Sequence, residues 1–141
     1  MEGIRLRSGT WDELATQCRV VRDEVFVREQ GVPVALEHDA LDPGGLHVLA
    51  CLTDGAAVAT GRLLPDGHLG RMAVRRPWRG QGVGGAMLAL LIEEARERSL
   101  AKVMLNAQVS ALGFYRAFGF KEVGAPFVEA GIEHQAMELS L

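Results

Sequence analysis

Cysteine is scarce in this chain: Cys18 and Cys51 are the only two among 141 residues. Two are too few for a disulfide framework, and no companion ligands stand at metal-binding spacing, so each reads as a small buried hydrophobe and no metal is expected. Long apolar runs are missing as well. Nothing reaches the roughly 20 consecutive apolar residues of a membrane-spanning helix, and the start of the sequence lacks a signal-peptide pattern. The expected setting is a reducing cytoplasm with no membrane partner. Excess positive charge is absent too: 15 basic against 18 acidic residues give a net charge of −3, which argues against a protein whose overall field gathers nucleic acid. No repeat, low-complexity tract or linker interrupts the sequence. With 48% hydrophobic residues over 141 positions, the expectation is one domain spanning residues 1–141 around an ordinary core.

Against these absences one segment stands out. Val74-Arg75-Arg76-Pro77-Trp78-Arg79-Gly80-Gln81-Gly82-Val83-Gly84-Gly85 precedes an apolar helical pattern, and four arginines crowd residues 71 to 79. Glycines let the backbone approach a ligand, and the first amides of the following helix have no partner inside it. The helix dipole adds roughly half a positive charge at this end, so a phosphate or pyrophosphate is the expected guest. Two familiar phosphate turns are excluded by what is missing. A nucleotide-triphosphate loop needs lysine and then serine or threonine after its last glycine, and here Gly85 is followed by Ala86 and Met87. Gly80, Gly82 and Gly85 do satisfy G-x-G-x-x-G, but a dinucleotide site needs an acid about twenty residues on, where the sequence has Leu105 and Asn106.

The rest of the chain reads as alternating elements. Residues 3–8 suggest a strand, and Thr10-Trp11-Asp12-Glu13 has capping-box spacing. Leu14, Cys18, Val21 and Val25 then mark a helix to about Val27, stopped by Gly31 and Pro33. Residues 31–45 are acidic and irregular, a loop or broken short helix over the substrate side. Apolar runs at 46–52 and 56–64 flank Asp54-Gly55, and Pro65-Asp66-Gly67 turns into 68–74, giving a three-strand antiparallel meander. A helix from Gly82 to about Arg98 leads to a strand at 103–107. Ser110 is expected to cap a short helix ending at Gly119, before strands near 120–123 and 134–139. A strand-helix-strand crossover places the strands on either side of the Gly82 helix parallel and adjacent. The fold class is α/β with a mixed, mostly antiparallel sheet and flanking helices.

Arg79-x-x-Gly82-x-Gly84 resembles the acetyl-coenzyme A loop of the GCN5-related N-acetyltransferase (GNAT) superfamily. Leu105-Asn106-Ala107-Gln108 and Phe114-Tyr115-Arg116-Ala117-Phe118-Gly119-Phe120 are similar to its second half. Val25-Phe26-Val27-Arg28-Glu29-Gln30-Gly31-Val32-Pro33 and Glu129-Ala130-Gly131-Ile132-Glu133-His134 resemble the narrower ElaA/YjcF-like branch, with Glu133 standing where proline is common. The resemblance spans roughly residues 20 to 138. It implies a GNAT fold whose central parallel strands splay into a V-shaped slot, with the pantetheine arm pairing to backbone groups of Met72, Ala73 and Val74. It also implies pyrophosphate binding by the amides around Gly80, Gln81, Gly82, Val83, Gly84 and Gly85 and by the Arg79 region, with Arg75 or Arg76 for the ribose phosphate.

Acyl transfer to an amine needs a bound thioester, a neutral amine, a polarised carbonyl and a leaving thiolate. An alkylammonium with pKa near 10.4 is neutral in only about one molecule in 2,500 at pH 7, a barrier of roughly 4 to 5 kcal/mol. Glu29 is the first choice of base, with His134 as a proton relay through water. A backbone amide near Val74 serves as oxyanion donor. The resemblance puts the Tyr115 hydroxyl at the sulfur as general acid and Asn106 on the cofactor arm or the amine. Glu37, Asp39 and Asp42 are read either as a lure for a cationic amine or as ordinary solvated loop charges. The expected activity is acetyl transfer from acetyl-CoA to a small primary amine by direct attack in a ternary complex. The alternative is a non-catalytic acyl-CoA-binding or sensing module. A homodimer through the terminal strands is common in similar proteins.

Overall fold

Strand β1 (Ile4–Thr10) ends where helix α1 (Trp11–Arg22) begins, and the junction is the capping box that the Thr-x-x-Glu spacing requires. In the computed structural model, which describes residues 3–37 and 39–141, the Glu13 amide donates to Thr10 Oγ1 at 3.3 Å and the Thr10 amide to Glu13 Oε1 at 2.9 Å. Leu14, Cys18, Val21 and Val25 are all buried, as their spacing demands. Beyond Arg22 the helix widens into a π-helical stretch, Asp23–Glu29, with the Gln30 amide reaching back to the Val25 carbonyl at 3.1 Å. Apolar periodicity over so few residues does not separate four-residue from five-residue closure, so an ordinary helix was the expectation. Such stretches often mark functional sites. Residues 31–45 form the broken short helix: α2 (Val34–Glu37) and a 3-10 turn at Asp42–Gly44.

Strands β2 (Leu46–Leu52), β3 (Ala57–Leu63) and β4 (Leu69–Val74) make the meander, and β1 joins it to give the order β1-β2-β3-β4, all antiparallel. Helix α1 covers one face, and α3 (Val83–Glu97) covers the other. Alternate residues of β2 divide between them, Leu49 and Cys51 toward α1 and Val48 and Ala50 toward α3. A strand buried on both faces reads as an unbroken apolar run for this reason.

A second sheet contains β5 (Lys102–Gln108), β6 (Lys121–Glu122), β7 (Phe127–Glu129) and β8 (Ile132–Ser140), with β8 pairing with each of the others. Helix α4 (Leu112–Ala117) precedes β6. Its cap is Ala111, without a side-chain hydrogen bond, rather than Ser110. A 3-10 turn at Val109–Ala111 intervenes and carries Ser110 away from the helix start.

The crossover rule is obeyed, but only at one point. Among the described residues, the two sheets share one parallel bridge, from His68 just before β4 to Met104 of β5, beside a 3.0 Å bond from the Met104 amide to the Gly67 carbonyl. A side chain at Gly67, where φ is +97°, would put its Cβ 2.6 Å from the Lys102 carbonyl oxygen, so glycine is what lets the sheets touch here. Beyond the bridge they part. A register shift between Thr60 and Arg62, with Arg71 at φ 51°, marks a bulge in β4, and a bulged strand bends and twists more strongly. No described helix is long and apolar enough to cross a membrane.

Candidate active site

The wedge between β4 and β5 has a polar wall. The Arg75 amide donates to the Val58 carbonyl at 2.9 Å, and Ala73 lies opposite Thr60. Antiparallel alternation therefore turns the backbone groups of Ala73 toward β3 and those of Met72 and Val74 toward the wedge. The expectation of three cleft-facing residues is corrected to two, since Ala73 belongs by backbone to β3 and by side chain to the cluster under α1.

From Val74 the chain passes through a 3-10 turn at Arg76–Trp78 into Arg79, then Gly80 at φ 74° and Gly82 at φ 84°. Gly82 is the N-cap of α3 and has no side chain to cap it. The first closing bond runs from the Ala86 amide to the Gly82 carbonyl, 3.0 Å. The amides of Val83, Gly84 and Gly85 thus precede any intrahelical partner, which is the donor arrangement an anion requires. Gln81 steadies the turn, its Nε2 donating to the Pro77 carbonyl at 3.1 Å. Gly84 and Gly85 pack against Phe114 and Phe118, whose ring atoms would lie 3.6 Å from a Cβ at either position.

The arginines divide by partner. Arg79 donates from Nε to the Val74 carbonyl and from Nη1 and Nη2 to the two carboxylate oxygens of Glu29, each at 2.7 Å. Arg75 is held by Glu24 at 2.8 Å and lies over the Trp78 ring. Arg76 keeps 76% of its side chain exposed, 3.5 Å from Glu29. Of the two arginines considered for a ribose phosphate, Arg76 is the accessible one. The hydrogen bonds from Arg79 hold the Glu29 carboxyl below its usual range.

The second sheet supplies the remaining candidates. Asn106 is exposed on β5 opposite Ala136, on the face away from buried Leu105 and Ala107. Tyr115 is buried, edge-on to Phe114 and Phe120, and burial pushes its phenol up to about 12. His134 stacks on Phe127 with ring centroids 5.8 Å apart. Its Nδ1 lies 2.7 Å from the Ile132 carbonyl. A carbonyl only accepts, so Nδ1 carries the proton and neutral His134 presents Nε2 as an unprotonated nitrogen. The β7–β8 hairpin fixes this ring, with Glu133 opposite Val128. One pair escaped sequence reasoning: Gln30 and Gln108 exchange amide hydrogen bonds of 3.0 and 3.5 Å across the wedge. Both lie in segments the family resemblance used, but no spacing rule brings residues 78 positions apart together.

Residues 10–141 match the acetyltransferase (GNAT) domain family. The chain belongs to the GNAT family. It is 37% identical over 122 residues to the N-acetyltransferase YjcF of Bacillus subtilis, covering 83% of this chain and 86% of that one. It is 32% identical over 125 residues to ElaA of Escherichia coli, covering 83% and 81%. The crystal structure of E. coli ElaA superposes with a TM-score of 0.86 at 28% identity over 96% of this chain and 98% of that one. An acyl-CoA N-acyltransferase from Pseudomonas aeruginosa gives 0.85 at 29% identity, with coverage of 96% and 98%. The chain thus lies in the ElaA/YjcF-like branch, and it is an acetyltransferase with the GNAT fold. The splayed strands and the uncapped helix of this GNAT protein form its candidate site.

The three carboxylates of the acidic segment, expected either to attract an amine or to be solvated, are paired with arginines of the protein itself. Asp42 accepts from Arg22 Nη1 at 2.8 Å and from Arg62 Nη1 at 2.9 Å, and Asp39 from Arg62 at 2.9 Å and Arg71 at 3.2 Å. Glu37 is buried 3.8 Å from Arg22. Burial alone would raise Asp39, but the Leu41 amide and the two guanidinium groups outweigh it and hold the carboxyl at about 2. Sequence reading missed this network because its arginines sit at scattered positions in α1, β3 and β4, where each looks like an isolated charge.

Proposed function

We propose that this protein transfers an acetyl group from acetyl-CoA to a primary amine of a small molecule by direct attack in a ternary complex. The observation that carries the reading is the uncapped start of α3, whose donors open beside a wedge with unpaired strand edge on one side. A diphosphate fits this cradle because the Val83, Gly84 and Gly85 amides lack intrahelical acceptors and Gly82 adds no side chain. Arg76 is the accessible cation for a further phosphate, and the cleft-facing backbone groups of Met72 suit the amides of an extended arm, the Val74 carbonyl being taken by Arg79. When bound, acetyl-CoA supplies an activated acyl group. The chain's own contribution is placement and proton handling. The Val74 amide is the candidate oxyanion donor, worth on the order of 3 kcal/mol when well aimed. Asn106 orients the arm or the amine. His134 Nε2, free to accept, is the candidate proton relay, and Tyr115 is a neutral hydroxyl donor for the leaving sulfur.

Calorimetric titration with acetyl-CoA tests the first half. Micromolar binding is expected for the native chain, and Gly82→Val should weaken it by at least about tenfold, since a β-branched residue at this positive φ is strained by roughly 1–3 kcal/mol. Coenzyme A release against a broad amine panel tests the second half. Tight binding without turnover by any amine would instead identify a sensing module.

A further inference from the structure

Glu29 sits where it acts on the cofactor turn without needing to touch the cofactor. It is the last residue of the π-helical stretch, and its carboxylate takes both arms of the Arg79 fork at 2.7 Å. The third bond of that guanidinium goes to the Val74 carbonyl, also 2.7 Å. Three of its five N–H groups are therefore spent inside the protein, in the bidentate geometry that gives arginine-carboxylate pairs their rigidity. Gly80, Gln81 and Gly82 follow immediately. Both glycines are at positive φ, and the side-chain bonds that hold this turn are those of Arg79 and the one from Gln81 to the Pro77 carbonyl. The next residue, Gln30, bonds to Gln108 on β5, so the end of one helix is tied to both sides of the wedge.

Resting on the cofactor reading above, we propose that Glu29 is a positioning residue. It holds Arg79, and through Arg79 the Gly80–Val83 turn, in the shape that receives the diphosphate. On this assignment Arg79 is not a direct phosphate ligand and Glu29 is not the base that takes the amine's proton. A carboxylate gripped by two charge-assisted bonds is a poor proton acceptor, and the Arg79 bonds do keep its carboxyl low. The rival arrangement has the opposite sign. If Glu29 merely occupied Arg79 until a phosphate displaced it, removing its charge would free the arginine and tighten binding.

The test combines acetyl-CoA titration with amide hydrogen exchange of the cofactor-free protein, in Glu29→Gln, Glu29→Asp and the double variant carrying Glu29→Arg with Arg79→Glu. Glu29→Gln should weaken acetyl-CoA by about tenfold, equivalent to about 1.4 kcal/mol. Exchange should accelerate at the two bonded amides that bracket the turn, Arg79 on the Arg76 carbonyl at 3.2 Å and Ala86 on the Gly82 carbonyl at 3.0 Å, with the β3 interior and the later turns of α3 unchanged. Glu29→Asp, which shortens the reach, should lie between. The charge-swapped protein should regain most of the exchange protection. The pH dependence of coenzyme A release should keep its shape in Glu29→Gln, which loss of a catalytic base would not allow. Unchanged or tighter binding in Glu29→Gln, or unaltered exchange at the turn, overturns the proposal. Failure of the native chain to bind acetyl-CoA would instead overturn the cofactor reading, and the exchange measurements would still decide whether Glu29 holds the turn.

Discussion

Strand β4 joins two arginine-rich regions that behave in opposite ways. Around its bulge, Arg22, Arg62 and Arg71 face Asp39 and Asp42, and the charges close on each other. Buried N–H groups there that lack an acceptor, Arg22 Nε and Nη2 and Arg62 Nε, are shut off from solvent, and the Arg22 guanidinium lies 5.1 Å over Trp11. At the other end of β4 the glycine turn leads into the Val83, Gly84 and Gly85 amides, which have no intrahelical acceptor and no side-chain cap, and Arg76 reaches into solvent. Charge density is similar in the two places. What separates a site from a scaffold is unmet hydrogen-bonding capacity that a ligand can reach.

The bulge region is the place to break this contrast hardest. Asp42→Ala leaves two buried guanidinium groups short of their carboxylate, and removing one partner of a buried pair costs about 3–5 kcal/mol. Urea unfolding should show that loss as a lower midpoint at unchanged slope. The idea fails if Asp42→Ala unfolds like the native chain yet abolishes turnover, because the network would then be catalytic equipment.

Acid sharpens the same contrast. Asp39 sits at about 2 in the folded protein against 3.8 when unperturbed, and Asp42 is lowered as well. A depressed folded value means that the unfolded chain binds protons first as pH falls. The stabilisation is therefore complete above about pH 4 and drains away toward pH 2. Asp39→Asn should be less stable than the native chain at pH 5 to 6, and the two urea midpoints should converge near pH 2. Parallel curves across that range would show that the ion pairs contribute nothing.

Most of the fold was legible because it is written in local rules. Thr10 and Glu13 specify a cap, Asp54-Gly55 a hairpin, and the α3 stripe a helix, and each is read without knowing what lies across from it. The wedge was half legible: crossover geometry gives parallel neighbours, while their divergence depends on the β4 bulge at Arg71 and on Gly67 meeting Lys102, which are contacts between distant segments. The same limit explains the site. Gly82 and its free amides announce themselves in sequence, but the partners of Glu29, Asp39 and Asp42 are 50, 23 and 20 residues away. A carboxylate beside an arginine and one beside water look alike until the chain is folded. Ala73 was misplaced for a smaller reason, since strand parity follows from the register with β3 and not from the strand's own residues.

Tyr115 offers the finest comparison, between a side chain buried for packing and one buried for chemistry. Its ring packs edge-on to Phe114 and Phe120 with centroids 5.0 and 5.9 Å away, contacts that phenylalanine would keep. The phenol, pushed up to about 12, stays protonated at any working pH. Handing that proton fully to a thiolate of pKa about 8.5 is uphill by roughly 5 kcal/mol, so complete transfer is a poor use of this hydroxyl, whereas donating a hydrogen bond to the departing sulfur costs nothing in protonation. Tyr115→Phe should therefore lower kcat by less than about tenfold, well short of the 100-fold or more that loss of a true general acid brings. The unfolding midpoint and the acetyl-CoA affinity should be close to native. A drop of several hundredfold at unchanged affinity would mean that the bound thioester reshapes the pocket enough to bring the phenol's acidity near that of the thiol.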